Sequence, residues 1–564
     1  MATPAPRILI VGGVAGGASA AARARRLSET AEIVMFERGP HISFANCGLP
    51  YHIGGVIQDR AKLLVQTPAS LGQRFDLDIR VWTEVTAIDR TAREVSVRNV
   101  RTGQTYRERY DALVLSPGAE PIRPPLPGFD DPRVLSLRNL QDMDRILAAA
   151  DKARLQRALV VGGGFIGLEV AEALRERGLR VALVEREAQV MPPVDPEMAT
   201  PVHDELQRHG VDLRLRTSVT AFEGTDALEA ILSDGSRLAV DFAVLAIGVR
   251  PETRLAREAG LELGPRGGIR VNDRMQTSDP AVYAVGDAVE VMDQVSGEPI
   301  LVPLAGPANR QGRIAADVIL GRESRYQATQ GTAIVKVFGL TLGATGLSEK
   351  ALLRLGRPYL KVYLHPASHA TYYPGAHAIS LKLLFTPEEG RLLGAQAVGA
   401  DGVDKRVDLL AMALRAGMTV HDLEDQELCY APPYGSAKDP VNMAGFVAAN
   451  VLKGDVALWE PQELPAGPDQ VLLDVRTLQE HQNGTLPGAA HLSVDELRDR
   501  EEELDPQKEY LVFCQVGLRG YLACRQLTQR GFRARNLSGG YRRWLMEQGS
   551  AVAALLERES GEEG

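Results

Sequence analysis

Two segments of the chain repeat one pattern of apolar and polar positions. In residues 8–37 and again in residues 158–185, an apolar run ends in glycines, an amphipathic stretch follows, and a second apolar run ends in a glutamate. The pattern predicts strand, glycine turn, helix and strand, which is the layout of a dinucleotide-binding βαβ unit. Two complete copies therefore predict two dinucleotide sites.

The residue types at these turns have a physical reason. Glycines let the backbone turn tightly and approach a pyrophosphate, and the next helix N-terminus supplies amide donors and partial positive charge. The terminal glutamate suits ribose hydroxyls. A single copy would be explained equally well as an ordinary strand–helix turn, but two copies would not. The first set is Gly12, Gly13, Gly16, Gly17 and Glu37, and the second is Gly162, Gly164, Gly167 and Glu185.

The second copy bears on the choice of nicotinamide cofactor, since two dinucleotides are usually a flavin and a nicotinamide. The carboxylate of Glu185 would repel a 2′-phosphate, which favours NADH. Arg186 lies beside it and offsets part of that repulsion, so NADPH stays open.

Composition excludes several classes of protein. The chain has 564 residues, 45% hydrophobic and 24% charged, with a net charge of −9, which argues against a general nucleic-acid surface. No apolar run reaches the roughly 18 residues of a membrane span. Four cysteines are no disulfide framework, and the first strand leaves no room for a signal sequence before it. We expect a cytoplasmic protein of several domains without a metal site.

Cys47 carries the candidate chemistry. It lies in residues 43–51, after the first dinucleotide unit and far along the chain from the other cysteines. A lone thiol beside a redox cofactor must pair with sulfur from elsewhere or cycle through a sulfenic acid. A buried structural cysteine is the commoner alternative, but Asn46, Gly48 and Pro50 are not core-strand residues. A helix starting near Cys47 is expected to lower the pKa of its thiol.

Three further segments, residues 110–119, 242–251 and 282–288, resemble the crossover and flavin-closing motifs of the pyridine nucleotide–disulfide reductase family. The resemblance implies that Asp287 holds the ribityl chain of FAD. It also implies that residues 326–453, where the pattern changes to short β-rich runs and then helices, form a dimerisation domain. The further site residues that it implies are Ser116, Gly118 and Gly286 for FAD and Gly248 for the nicotinamide nucleotide.

Most members of that family carry a Cys-x4-Cys pair, and this chain departs from it. Its single-cysteine segment resembles the coenzyme A–disulfide reductases, in which the thiolate forms a mixed disulfide with coenzyme A. Single-cysteine NADH oxidases and peroxidases, which cycle through sulfenic acid, are the near alternative. The resemblance implies coenzyme A contacts, with a solvated basic helix face as the plainer explanation of the arginines. These contacts are Arg23, Arg26, Ser43, Asn46 and Arg74.

Four tyrosines in the later part of the chain are further candidates for the coenzyme A site. In the resembling subfamily, tyrosines of the partner subunit reach the coenzyme A sulfur, where a phenol can donate a hydrogen bond to a leaving thiolate. Interface packing would also explain them. Our first candidates are Tyr430 and Tyr434, followed by Tyr372 and Tyr373.

The C-terminal segment resembles a rhodanese sulfurtransferase at residues 471–476, 484–492, 510–520 and 536–544. The resemblance implies that Cys514 carries sulfur, that loop amides around Gly517 hold it, and that Arg519 anchors the loop or attracts an anionic donor. Thr485 stands where histidine is more usual, and an inactive module is the alternative. Cys524 is expected to be buried and inert.

Together these patterns predict an α/β protein with two Rossmann-like domains, an α+β dimerisation domain and an α/β rhodanese domain. The predicted activity is FAD- and NAD(P)H-dependent reduction of coenzyme A disulfide, coenzyme A persulfide or polysulfide by a homodimer. A sulfurtransferase or sulfur carrier with a regulatory flavin module is the alternative from another class. The predicted boundaries are 1–115 with 246–325 (FAD), 116–245 (NAD(P)H), 326–453 (dimerisation), 454–468 (linker) and 469–558 (rhodanese), with a frayed tail at 557–564.

Overall fold

A computed structural model describes residues 5–152 and 156–549. These residues form two compact units, and each is described by itself. The first unit runs up to Val184 and adds Thr217–Thr329, while the second consists of Glu185–Arg216 and the chain from Gln330 onward. The predicted tail and the end of the predicted rhodanese segment lie outside the described residues.

The helices follow one another along both units. Those of the described residues are α1 Ala15–Leu27, α2 Leu49–Ile53, α3 Pro68–Phe75, α4 Leu140–Ala150, α5 Phe165–Glu176, α6 Pro196–Arg208, α7 Arg254–Glu258, α8 Ala305–Ile319, α9 Glu349–Leu355, α10 Val403–Arg415, α11 Val420–Glu424, α12 Pro440–Leu452, α13 Leu478–Gln482, α14 Leu518–Gln529 and α15 Gly540–Gln548. None of them is long and apolar enough to cross a membrane.

The strands of the described residues are mostly short. They are β1 Arg7–Val11, β2 Glu32–Glu37, β3 Asp78–Val81, β4 Thr83–Asp89, β5 Glu94–Asn99, β6 Thr105–Arg109, β7 Ala112–Leu115, β8 Ala119–Pro121, β9 Val134–Ser136, β10 Arg157–Val161, β11 Arg180–Val184, β12 Asp212–Arg214, β13 Val219–Glu223, β14 Leu228–Leu232, β15 Arg237–Val240, β16 Phe242–Leu245, β17 Val249–Pro251, β18 Ile269–Arg270, β19 Val282–Ala284, β20 Val289–Met292, β21 Pro299–Leu301, β22 Ala333–Val337, β23 Leu340–Gly346, β24 Leu360–Leu364, β25 Ile379–Phe385, β26 Leu392–Gly399, β27 Ala457–Trp459, β28 Gln470–Asp474, β29 Ala490–His491, β30 Glu509–Phe513 and β31 Arg533–Leu537.

Two parallel sheets organise the first unit. The first has the order β19-β7-β1-β2-β3, and the second contains β11-β10-β16-β9. Parallel strands covered on both faces read as continuous apolar runs, which is why both dinucleotide units were visible in the sequence. Leu9 and Val34 in the first sheet and Leu159 in the second are fully buried. The two predicted Rossmann-like folds are confirmed.

The second unit has one antiparallel and one parallel sheet. The antiparallel sheet has the order β22-β23-β26-β25-β24, and the C-terminal parallel sheet has the order β27-β31-β30-β28-β29. The stretch predicted as a linker differs from expectation, because its residues 457–459 form β27 of the parallel sheet. Trp459 is fully buried there, and its indole N–H donates to the Val512 carbonyl at 2.9 Å.

A charged core lies inside the second unit. The ammonium of Lys382 on β25 is fully buried and contacts three carboxylates, those of Asp195 at 2.9 Å, Glu197 at 2.6 Å and Glu349 at 2.6 Å. The Tyr363 ring lies 5.1 Å from the ammonium nitrogen, and its hydroxyl donates to Glu197 at 2.8 Å. These five residues are called the Lys382 cluster below. They join α6 and α9 to the antiparallel sheet.

Electrostatics holds this cluster in its charged state. Burial acts to lower the pKa of Lys382, but Tyr363 and the carboxylates keep that pKa well above its usual value. Burial acts to raise the pKa of Glu349, and Lys382 and Lys361 nevertheless bring it down to about 2. A buried charge is tolerated when it is paired and hydrogen-bonded, as this one is.

One carboxyl group on α6 is not paired in this way. Asp204 is 5% exposed, and neither of its carboxylate oxygens has a hydrogen-bond partner among the described residues. Burial raises the pKa of Asp204 to about 6, against the opposing charge of Arg208.

Replacing this carboxyl, Asp204→Asn, is expected to stabilise the protein at neutral and alkaline pH. The folded-state pKa lies above the unfolded value of about 3.9, so the unfolded chain releases its proton first as the pH rises. The cost is absent below about pH 4 and grows to at most about 3 kcal/mol once the pH exceeds the folded pKa. Calorimetric Tm values of the two proteins should converge in acid and separate at higher pH. A variant less stable than wild type at alkaline pH would contradict this account.

Candidate active site

The segment around Cys47 packs directly on the first glycine turn. The Ser43 amide donates to the Gly13 carbonyl at 2.8 Å, with Ser43 in the left-handed region at φ 45°. Cys47 lies in the 3₁₀ turn Asn46–Gly48, which continues into α2, and the residue is exposed. The predicted helix start beside the thiol is therefore present, and the thiol belongs to the first dinucleotide unit.

The expected effect of that helix start on the thiol was wrong. Although Cys47 is exposed as a residue, partial burial of its sulfur raises the pKa of the thiol, and the carboxylates of Glu169 and Asp287 raise it further. A 3₁₀ turn and a helix of five residues carry little dipole, so burial together with the two acids outweighs them.

Two residues beside Cys47 were missed by the sequence reasoning. Tyr51 on α2 donates a hydrogen bond to Glu169 on α5, and burial raises the pKa of Glu169 to about 7. Burial, followed by the charge of Glu169, raises the pKa of Tyr51 to about 12. A signal was available, because Tyr51 lies one helical turn after Cys47 and Glu169 lies two residues after Gly167.

One face of α5 carries this contact with α2. Along that face, Glu169 meets Tyr51, a Cβ atom on Gly54 would lie 3.2 Å from the Ala173 Cα, and Arg177 donates to the Ile53 carbonyl. The spacing of four residues places Glu169, Ala173 and the C-cap residue Arg177 in one row along α5. The cysteine helix is thus held against the helix that follows the second glycine turn.

The backbone of the first glycine turn can be approached closely by a ligand. A Cβ atom on Gly12, at φ 97°, would lie 2.1 Å from the Ser116 carbonyl oxygen. Glu37 accepts the Gly13 amide at 3.0 Å, as its predicted place at the strand tip requires. Helix α1 has no side-chain cap and no acid in its first turn, so its N-terminal amides suit a pyrophosphate.

The flavin-closing residues lie near this turn. Gly286 is close to Ser116, since a Cβ atom on Gly286 would lie 3.8 Å from the Ser116 hydroxyl oxygen. Asp287 follows in a 3₁₀ turn, and burial raises the pKa of its carboxyl. The charge of this predicted ribityl acid also contributes to the raised pKa of the Cys47 thiol. These residues fit FAD. The turn glycines Gly16, Gly17 and Gly118 belong to the same unit.

The second glycine turn repeats the same construction. A Cβ atom on Gly162, at φ 106°, would lie 2.4 Å from the Ala246 carbonyl oxygen, and the helix after Gly164 has no side-chain cap. Gly167 packs on Gly162, and Gly248 also has a positive φ. These residues fit a nicotinamide dinucleotide.

The predicted ribose acid belongs to the second unit. Glu185 is buried and accepts the Glu187 amide at 2.8 Å. Arg186 is exposed and pairs with the Glu187 carboxylate at 2.9 Å. Arg186, whose charge kept NADPH possible as the cofactor, is therefore paired with an acidic side chain.

The residues predicted to bind coenzyme A differ in exposure, and one of them already forms an ion pair. Arg23 is committed to Asp317 on α8, with 2.7 Å between its Nε and the carboxylate. Arg26, Asn46 and Arg74 are exposed, and Ser43 is half-buried. Arg25, between the two helix arginines, is buried and donates to the carbonyls at the end of α1 and α3, which is a structural role.

The four tyrosines lie in the second unit and are exposed. The hydroxyls of Tyr372 and Tyr430 are 2.6 Å apart, which brings two of the candidates together. Tyr434 and Tyr373 are 71% and 43% exposed. Exposure of so much aromatic surface argues against a core-packing role for these residues.

Cys514 directly follows β30, and its sulfur faces the loop that comes after it. The Gly517 amide donates to the Cys514 sulfur at 3.1 Å, in the loop that leads into α14. Arg519 is bound to Glu480 at 2.6 and 2.7 Å and so anchors the loop to α13, and its hydrogen bond to Glu480 is the main cause that raises its pKa. Thr485 donates to the buried Asp474 and not to the sulfur.

Cys524 on α14 is 1% exposed, and burial raises the pKa of its thiol far above the usual range. Its predicted burial is confirmed. All four cysteines of the chain are free. Cys47 therefore has no cysteine partner within its own chain.

Comparison with known proteins places these sites in a family. The model of the pyridine nucleotide-disulphide oxidoreductases matches residues 6–305, which is more than half of the chain. The chain belongs to this family. Its dimerisation-domain model matches residues 332–440, and the rhodanese-like domain model matches residues 460–547. The predicted family, enzyme class and use of FAD and NADH are thereby confirmed.

Relatives in this family share most of the chain's length. The coenzyme A disulfide reductase of Staphylococcus aureus (strain JH9) is 36% identical over 444 residues, which are 78% of this chain and all of that protein. The structure of reduced Bacillus anthracis CoADR-RHD has 50% identity and a TM-score of 0.94, covering 96% of this chain and 98% of its own. A NAD-dependent persulfide reductase from A. fulgidus has 35% identity and a TM-score of 0.90, covering 96% and 100%.

The pair beside Cys47 makes one testable prediction for this family member. Glu169→Gln removes a negative charge that raises the pKa of the thiol, so the pKa should fall by roughly half a unit to one unit. Alkylation of Cys47 by iodoacetamide near neutral pH should then become several-fold faster. Mass spectrometry of the Cys47 peptide separates this rate from that of the exposed Cys429.

Glu176→Gln is the matched control, because Glu176 is an exposed acid on the same helix. Its alkylation rate should equal that of wild type. A Glu169→Gln protein that reacts no faster than wild type would refute the electrostatic link.

Proposed function

We propose that this protein is a FAD-dependent NADH reductase of coenzyme A disulfide, coenzyme A persulfide or polysulfide, and that Cys47 is its redox-active thiol. The observation that carries the proposal is the position of Cys47. Its segment packs on the flavin-type glycine turn through the Ser43–Gly13 hydrogen bond, the charge of Asp287 acts on the thiol, and no other cysteine of the chain is bonded to it. The names of the relatives, a coenzyme A disulfide reductase and a persulfide reductase, support the same substrates.

One protein thiol is sufficient for a balanced reduction of either substrate. The Cys47 thiolate attacks a sulfur of coenzyme A disulfide, one coenzyme A leaves as thiolate, and the other remains in a mixed disulfide. With coenzyme A persulfide, attack on the inner sulfur gives the same mixed disulfide and releases sulfide. Bound FAD and NADH supply the two electrons that cleave it, which returns Cys47 to thiolate and releases coenzyme A.

Residues around Cys47 are assigned to the substrate on chemical grounds. Arg26 and Arg74 are exposed cations suited to the phosphates of coenzyme A, and Ser43 and Asn46 offer hydrogen bonds near the thiol. Arg23 would have to exchange its Asp317 partner for a phosphate. It is therefore a weaker candidate than Arg26.

The tyrosines are assigned to the leaving thiolate. We infer a homodimer from the dimerisation domain, with active sites that take Tyr430 or Tyr434 from the partner subunit. The contact between the hydroxyls of Tyr372 and Tyr430 gives Tyr430 a neighbour that can receive or return its proton. Four free thiols suit a reducing compartment, and we infer the cytoplasm.

The C-terminal domain is assigned to sulfane sulfur. The Cys514 sulfur already accepts one loop amide, and the Arg519–Glu480 pair fixes the start of α14 behind it. A loop of amides at a helix N-terminus suits a persulfide anion. We infer that Cys514 takes sulfur from a donor and passes it to the coenzyme A thiol.

Anaerobic NADH oxidation with coenzyme A disulfide, coenzyme A persulfide and polysulfide in parallel tests the reductase proposal. Cys47→Ser is expected to abolish turnover with every substrate, because the mixed disulfide cannot form. Cys514→Ser should leave coenzyme A disulfide reduction unchanged and slow only reactions that begin with a sulfane-sulfur donor. Full disulfide reduction by Cys47→Ser would refute the proposal, and rapid NADH oxidation that requires only oxygen would favour the oxidase alternative.

Tyr430→Phe and Tyr434→Phe identify the proton donor. The donor variant is expected to lose kcat for coenzyme A disulfide by a factor on the order of 100, with KM little changed. Tyr521→Phe on α14 is the control and should keep wild-type kcat. If neither substitution changes kcat, Tyr430 and Tyr434 are not the proton donor.

A further inference from the structure

The backbone around Cys514 is held by the first turn of α15. The Cys514 carbonyl accepts the Tyr541 amide at 2.7 Å, and the Gln515 carbonyl accepts the Arg542 amide at 3.0 Å. A Cβ atom on Gly540 would lie 2.3 Å from the Cys514 carbonyl oxygen. The position of the sulfur loop therefore depends on where α15 begins.

The residues just before α15 are held in turn by the dimerisation domain. The Tyr363 amide on β24 donates to the Ser538 hydroxyl oxygen at 2.8 Å, and both residues are buried. A Cβ atom on Gly539 would lie 2.7 Å from the Tyr363 Cβ and 3.2 Å from the His365 Nε2. Gly539 also contacts the sulfur loop, because a Cβ atom on Gly517 would lie 3.2 Å from the Gly539 nitrogen.

The contact surface on the dimerisation side is tied to the Lys382 cluster and to α15. Tyr363 belongs to the Lys382 cluster, and its ring is covered by the Arg543 guanidinium of α15 at 3.9 Å. Arg543 is fully buried and also pairs with Glu460 and Glu547. The guanidinium over the ring and its two carboxylate partners hold α15 against β24.

His365, the residue after β24, also lies against Gly539. Its Nδ1 pairs with the Ser380 hydroxyl at 2.9 Å, and its Nε2 is buried without a hydrogen bond of good geometry among the described residues. Burial, reinforced by Arg542 and Arg543, keeps the pKa of His365 well below its usual value, so the ring is neutral at physiological pH. A neutral ring can lie against a glycine backbone without adding charge to the sulfur loop.

We propose that β24 of the dimerisation domain positions the Cys514 loop for sulfur transfer, with Ser538 and His365 as the positioning residues. This inference rests on the proposed role of Cys514. The C-terminal domain is then fixed to the dimerisation domain and does not move as a tethered carrier. The same β24–β25 hairpin carries Tyr372 and Tyr373 in its connecting segment, so one element links the sulfur loop to the tyrosines proposed for the reductase site.

Full-length Ser538→Ala and Ser538→Thr provide the test. Ser538→Ala loses the link to the Tyr363 amide, whereas threonine keeps the hydroxyl. Small displacements of reacting groups cost large factors in rate, so Ser538→Ala should lose about 10-fold or more in kcat for thiosulfate-to-cyanide sulfur transfer. The KM for thiosulfate should stay within about 2-fold, since the donor site remains. Ser538→Thr should restore kcat.

Ser493→Ala is the matched control, because Ser493 is a buried serine of the same domain whose hydroxyl accepts the Asp495 amide instead. It should keep wild-type kcat. NADH-dependent reduction of coenzyme A disulfide should be unchanged in all three variants. A second variant, His365→Ala, opens space at Gly539 and should lower kcat in the same direction as Ser538→Ala.

Amide hydrogen exchange of the 514–519 peptide supplies a readout that does not need activity. Exchange should become faster in Ser538→Ala and His365→Ala and stay at the wild-type rate in Ser538→Thr and Ser493→Ala. Unchanged exchange in Ser538→Ala overturns the positioning proposal, whatever happens to kcat. If Ser538→Ala exchanges faster than wild type but the wild-type protein shows no Cys514-dependent sulfur transfer, the proposed function of Cys514 fails while the positioning proposal stands.

Discussion

The need to pair one buried charge organises the second unit. An ammonium removed from water is tolerated only where carboxylates and dipoles replace its hydration, and Lys382 takes these from α6 and α9. Removing one partner of such a pair typically costs about 3–5 kcal/mol, because the other charge is left buried alone. The positions of both helices on the antiparallel sheet, and of Tyr363 beneath α15, are therefore set together.

The surroundings of Cys47 impose a different constraint. Partial burial of the Cys47 sulfur, followed by the charges of Glu169 and Asp287, raises the pKa of the thiol and so disfavours the thiolate that the proposed chemistry requires. Glu169 lies close to its own titration point near neutral pH, so its charge can respond to that of the thiol. At neutral pH the raised pKa therefore favours the protonated form of the Cys47 thiol.

Much of the fold could be predicted because its signals are local. The two glycine turns, their strands and the C-terminal sheet are short-range patterns, and Gly12, Glu37 and Gly162 lie where the motifs predict. The pairing of Tyr51 with Glu169 and the burial of Lys382 depend on contacts between residues more than 100 positions apart, which periodicity does not reveal. The sequence also predicts a linker where β27 lies, because a strand of three residues followed by prolines and glutamates has no periodic pattern of its own.

Strand β24 lies at the edge of its sheet, and the outward amide of Tyr363 finds its acceptor in Ser538. Exposed strand edges are templates for pairing with other chains, and proteins protect them. Here the protection comes from a separate domain some 170 residues later in the chain. A version of this protein shortened at the end of α12 would present that edge to solvent, so its main liability would be self-association into aggregates, even with every residue around Cys47 intact.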